Sequence, residues 1–85
     1  MNAADRKIAS EAFSKLEKLA SEFEEIKSEL SDLADAEQEK YDNMSEGLQA
    51  GEKGQTIQTA AENLREAAEA DGPQEAVDAL GNIEL

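Results

Sequence analysis

Apolar residues recur at Ala9, Ala12, Leu16, Leu19, Phe23, Ile26, Leu30 and Leu33, spaced 3-4-3-4-3-4-3 without a break. A 3.5-residue period predicts a long helix that packs lengthwise on another helix. No Gly or Pro interrupts the chain from Asn2 to Asn43. Asn2 is a strong N-cap, and the charge of Asp5 suits the positive end of a helix that starts beside it. One helix is therefore predicted over about 3–43, a rod of about 60 Å. Beside the two core rows, Phe13, Ala20, Ala34 and Tyr41 share one heptad position. That width suits packing against more than one helix. Beyond Leu33 the seam weakens: Glu37 and Lys40 take the next two core places, and Tyr41, Met44 and Leu48 continue a shifted stripe.

Gly47, Gly51 and Gly54 then punctuate the pattern, which predicts a turn over 44–54. A second helix is predicted over about 55–70, its inner face made of Ile57, Ala60, Ala61, Leu64, Ala67 and Ala68. So much Ala lets two backbones approach closely. Asp71, Gly72 and Pro73 stop that helix, and Pro73 suits the first position of a third, short one over about 73–80, closed by Gly81. Val77, Leu80 and Ile83 would form its apolar side. The fold class is all-α, one domain over 1–85: a long heptad helix, a Gly-rich turn and a broken antiparallel return arm, a helical hairpin or coiled coil within an oligomeric bundle. In that layout Ile57 lies near Met44, Leu64 near Leu33 or Glu37, and the third helix reaches Ile26 and Phe23. The first turns of the seam stay uncovered. Burying a Leu or Phe is worth about 1.5–3 kcal/mol, so Ile8, Phe13, Leu16, Leu19, Phe23, Ile26, Leu30 and Leu33 are read as an oligomer seam, with a homodimer the simplest partner arrangement.

Composition narrows the chemistry. The chain has no Cys and no His, so disulfides and the usual zinc ligand sets are excluded. The formal charge is −13, and residues 28–85 carry three basic groups (Lys40, Lys53, Arg65) against fifteen acidic ones. Such a field repels nucleic acid and anionic membranes and attracts basic surfaces. No apolar run is long enough to span a membrane and no signal-peptide pattern is present, so a cytoplasmic location is expected.

The block Asp35-Ala36-Glu37-Gln38-Glu39-Lys40-Tyr41-Asp42-Asn43-Met44-Ser45-Glu46-Gly47-Leu48-Gln49 resembles the turn of a family of small, acidic, uncharacterised helical proteins encoded by phages and prophages. Glu52-Lys53-Gly54 and the Ala-rich stretch from Ala60 to Ala70 match the family's short segment and second helix beyond that turn. The resemblance covers about half the chain. Ser45 stands where the family usually has Pro, and Asp71-Gly72-Pro73 interrupts what is usually one continuous helix. The resemblance implies a phage origin and, in a host cell, a cytoplasmic protein; it implies no agreed activity.

Catalysis has little support. Carboxylates are plentiful, but on thin helices they face water, whereas glycoside chemistry needs them in a cleft. The chain is read as a non-enzyme without cofactor. Asp32, Asp35, Glu39 and Asp42 have spacings that would line one side of a helix, yet no calcium loop is present, and a solvated acidic face is the simpler reading. Two functional readings remain. In the first, Glu25, Glu29, Asp32, Asp35, Glu39 and Asp42 form an acidic partner face that imitates the charge rows of DNA and occupies a basic groove, such as that of a host defence nuclease, in the manner of anti-restriction or anti-CRISPR proteins. In the second, the seam builds a structural coiled coil without inhibitory activity, and the acids only keep it dissolved. A third, a small-ligand sponge, would use Arg6, Lys7, Lys15 and Lys18, the cations gathered at one end. The turn around Tyr41, Asp42, Asn43 and Met44 is a docking candidate as well, although closure of the bundle end accounts for it more simply.

Overall fold

The computed structural model describes residues 1–83. Their regular structure is helical throughout: α1 (Ala3–Asp42), α2 (Glu46–Ala50), α3 (Glu52–Ala68) and α4 (Pro73–Leu80). The molecule measures 67 × 18 × 17 Å with a radius of gyration of 18.7 Å, against about 12 Å for a compact domain of this length. The elongation comes from α1, whose 40 residues run uninterrupted.

Local chemistry sets the ends of the elements. The Asn2 side chain accepts from the Asp5 backbone N–H at 2.8 Å, satisfying one of the free donors of the first turn. α1 stops at Asn43, and the Met44 N–H donates to the Tyr41 carbonyl at 3.1 Å. Gln49 Nε2 donates to the same carbonyl at 2.9 Å, which ties α2 to the end of α1.

The 44–54 stretch is not the long turn its glycines suggest. Ser45 caps a five-residue helix, its Oγ accepting from the Leu48 N–H. Gly51, in extended conformation, separates α2 from α3, so α3 begins at Glu52 rather than near 55. Gly54 lies buried inside α3, because the Leu48 and Gln49 backbone of α2 passes against it. That glycine marks a close approach, not a break.

α3 returns antiparallel to α1. Gln49 meets Tyr41, Arg65 meets Asp35 and Ser31, and the cluster of Ala67, Ala70, Ala76 and Ala79 takes up Phe23 and Leu30. Along α1 the row Phe23, Leu30 and Glu37, continued by Met44 just past its end, the neighbouring row Lys27, Ala34 and Tyr41, and Ser31 beside them are the half-buried or buried positions. Gly54, Ala61, Leu64 and Ala67 are the buried residues of α3. Small residues dominate, and among the described residues no large side chain is fully buried. The core is one layer of alanines with Leu64, flanked by half-covered Phe23, Leu30 and Leu80.

α4 departs from the expected layout. It lies chiefly against α3; its Ala76 and Ala79 belong to the cluster that takes up Phe23, as expected, but Ile26 stays largely open. Gly72 is extended, Pro73 takes the first turn, and Glu75 Oε2 accepts from the Asp71 N–H at 3.2 Å. After this turn the chain doubles back, so that Asn82 and Ile83 line one groove with Glu52, Thr56 and Ala60 near the start of α3. Ala76 and Ala79 face inward; of the apolar side expected, Leu80 packs on the alanine cluster and Ile83 is half-buried, whereas Val77 is exposed. Alanines at i and i+3 let α4 approach the alanine face of α3, where Val77 would hold the backbones apart.

The Arg65–Asp35 pair bridges α1 and α3, with side chains 39% and 67% exposed. At that exposure solvent screens most of its energy. Arg65→Gln is expected to lower unfolding stability by less than about 1 kcal/mol, as read from urea denaturation midpoints at equal m-value. A larger loss would place more of the α1–α3 contact on this pair than on the alanine layer.

Candidate interaction surfaces

Two surfaces of α1 stand out, one acidic and one apolar. Glu25, Glu29, Asp32, Asp35, Glu39 and Asp42 are all exposed. At 100° per residue they fall on the side of α1 turned away from the α3-facing rows. Asp35 lies at the edge of this surface and is held by Arg65. Asp42 accepts from Gln38 Nε2 at 2.9 Å. The remaining cations of this half of α1 bind other acids: Lys40 Nζ is 2.8 Å from Glu37 and Lys27 Nζ 3.9 Å from Glu24. Lys27 also lies 5.4 Å from the centre of the Phe23 ring. Among the described residues, Asp35 is thus the one member of the six with a cation on it.

The six acids span 17 steps of the helix, about 26 Å at 1.5 Å each, or one charge per roughly 5 Å of axis. A single DNA strand carries one per about 3.4 Å. The surface is therefore about two thirds as dense in charge as one strand and well below a duplex. No three His, Cys, Asp or Glu side chains among the described residues are arranged to hold a metal ion.

The apolar seam divides in two. Phe23 and Leu30, expected to meet another copy, are packed on the chain's own alanine cluster. Leu19, Ile26 and Leu33 form the adjacent row and stay largely open, at 59%, 47% and 49% exposure. Toward the N-terminus every residue from Met1 to Glu22 is exposed, including Ile8, Phe13 and Leu16 at 63–66%. α3 is only 17 residues long, about 25 Å, and α4 turns back, so no described part of the chain reaches this part of α1. Periodicity announces that both rows are apolar. It carries no information on which row the chain's own return arm will take.

Arg6, Lys7, Lys15 and Lys18 all lie on this uncovered segment; Lys15 and Lys18 share a shallow open groove with Leu19 and Glu22, without Arg6 or Lys7. The groove beside Glu52, Gln55, Thr56, Thr59, Ala60, Asn82 and Ile83 has a volume of about 410 Å³ and opens to solvent. Tyr41 and Met44 are half-buried at the α1–α2 turn, whereas Asp42 and Asn43 are exposed. No helix among the described residues is long and apolar enough to cross a membrane. No family model matches the chain, and no curated protein or solved structure does so either.

Proposed function

We propose that the protein is a non-catalytic interaction protein that docks the acidic side of α1 onto a basic surface of a protein partner. The partner is one that otherwise holds nucleic acid, such as a host defence nuclease met in the cytoplasm by a phage-encoded inhibitor. The observation that carries this reading is the exposure of Glu25, Glu29, Asp32, Glu39 and Asp42 on a rigid helix, with none of them bound to a cation among the described residues. Carboxylates held on a straight element keep their spacing without further ordering, which favours complementary docking and fast, salt-sensitive association.

The test compares wild type with a variant carrying Glu→Gln or Asp→Asn at all six acidic positions. Each is added to DNA-cleavage assays of host restriction and CRISPR nucleases, after circular dichroism has shown equal helicity. Wild type is expected to inhibit at least one nuclease, more strongly at about 50 mM than at about 500 mM salt, a range over which such contacts weaken. The variant is expected to lose at least about tenfold in potency. Equal potency of the two forms, or no inhibition by either, would contradict the reading.

A second reading is a structural oligomer that inhibits nothing. Its support is the exposure of Leu16, Leu19 and Ile26 on one side of α1. Under it the neutralised variant behaves as wild type, while a charge placed in the apolar row disrupts assembly.

A further inference from the structure

We infer that two copies of this chain join through the uncovered part of α1 in antiparallel fashion, leaving their acidic bodies at opposite ends of one rod. The inference rests on the seam being a self-association surface and adds its direction, its register and its consequence.

The chain exposes 6325 Å², whereas a compact protein of 9.2 kDa exposes about 4,900 Å². The surplus of about 1,400 Å² exceeds the roughly 800 Å² that each partner gives to a stable interface. It is concentrated on Met1–Glu22, where no residue is covered. Most helical stability comes from packing an apolar face, and the apolar face of this segment is unpacked within the chain, so it has both the area and the need for a partner.

Charge selects the partner and its direction. Within residues 1–22 the four cations, Arg6, Lys7, Lys15 and Lys18, are matched by four acids, Asp5, Glu11, Glu17 and Glu22. The segment is neutral, and the rest of the chain carries the whole −13. A parallel pair would press two bodies of that charge together. An antiparallel pair joins the neutral segments and separates the bodies.

One register satisfies the side chains. When Leu16 of one copy faces Leu19 of the other, the two-fold axis passes between residues 17 and 18, and the contact occurs twice. Heptad geometry then sets Lys15 beside Glu22 of the second copy and Phe13 beside Ala20. It also brings Ala9 to Ile26, on the row that α3 leaves open. Leu16 packs on Leu19 at the centre, the larger Phe13 and Ile26 meet alanines, and Lys15 meets an unlike charge, while the same relation sets Arg6 beside Lys27 at the margin. The product is a rod about 85 Å long, from the 67 Å of one chain and an overlap of roughly 34 residues at about 1.5 Å each. Each end presents one acidic surface, so the dimer would engage two basic partners at once, or two sites on one symmetric partner.

Native Cys is absent, which makes single-site labelling direct. Gly47→Cys is structurally open, since a side chain there meets nothing within 4 Å. In the antiparallel rod the two copies of that position lie about 80 Å apart; in a parallel pair they are neighbours. Ser14→Cys lies near the axis and serves as control. Donor- and acceptor-labelled chains are mixed and energy transfer is read alongside mass by light scattering. The expected result is a dimer with strong transfer at Ser14→Cys and none at Gly47→Cys. A dimer with strong transfer at both positions overturns the antiparallel arrangement while leaving self-association intact. A monomer at every concentration overturns the seam reading itself.

Discussion

Leu16→Asp is expected to turn the proposed dimer into a monomer and to melt the first half of α1. Leu16 is 63% exposed in the single chain, so within one copy its replacement removes little packing. In the pair it sits next to the two-fold axis and is lost twice. Burial of a Leu is worth about 1.5–3 kcal/mol, so the pair loses on the order of 3–6 kcal/mol, roughly a 10²–10⁴-fold weaker dissociation constant. A buried, unpaired carboxylate adds to that loss. Helical signal should fall as well, because residues 3–22 would then rest on propensity alone. Sedimentation equilibrium and circular dichroism on the same samples read both effects. Phe23→Asp separates the two roles of the seam: Phe23 packs on the alanine cluster of its own chain, so that variant should lower unfolding stability rather than the dimer constant alone. A Leu16→Asp protein that keeps wild-type mass and helicity would show that Leu16 meets no partner.

Gly54→Ala and Gly47→Ala are expected to act in opposite directions although both lie in helices. In a helix interior, Gly→Ala gains about 1 kcal/mol from propensity. At Gly47, the second residue of the five-residue α2, the new Cβ meets nothing within 4 Å, so a part of that gain is expected. At Gly54 it would lie 2.6 Å from the Gln49 Cα and as tightly against the Leu48 and Gln49 carbonyls. These are backbone atoms, which cannot swing aside as a flexible side chain does. α2 must shift, breaking the Gln49–Tyr41 hydrogen bond and the tie between α1 and the return arm. Overpacking of this kind costs about 1–3 kcal/mol and occasionally more, which exceeds the propensity gain. A net loss of about 1 kcal/mol corresponds to a Tm lower by roughly 4–8 °C in a domain this small. Thermal unfolding followed by circular dichroism checks the pair. Stabilisation by Gly54→Ala would contradict the α2–α3 contact.

Hydrophobic patterning is informative at some of these positions and silent at others. The start of α1 at Asn2 and the start of α4 at Pro73 are legible because capping and proline geometry are local. The alanine face of α3 is legible because its period is regular: Ala61, Leu64 and Ala67 are buried. The 44–54 stretch is not, because glycine permits both a turn and a close contact between backbones. The cap at Ser45 and the Gln49 hydrogen bond tip it to helix, and the second of these is a tertiary contact. The direction of α4 is not legible either, because Val77 has the character of an inner residue. Alanine–alanine approach on α3 favours Ala76 and Ala79 instead. The seam is legible as a pattern but not as an allocation: the row holding Phe23 and Leu30 goes to the chain itself, and the row holding Leu19, Ile26 and Leu33 stays open. The exposure of the acidic residues follows from their period. What they bind does not follow from charge alone, since a solubilising surface and a docking surface carry the same residues.

Solution X-ray scattering over a concentration series tests the antiparallel pairing most directly, because it returns mass and maximum dimension together. The expected particle has twice the 9.2 kDa chain mass and is about 85 Å long. A particle of 9.2 kDa and 67 Å at every concentration would contradict it.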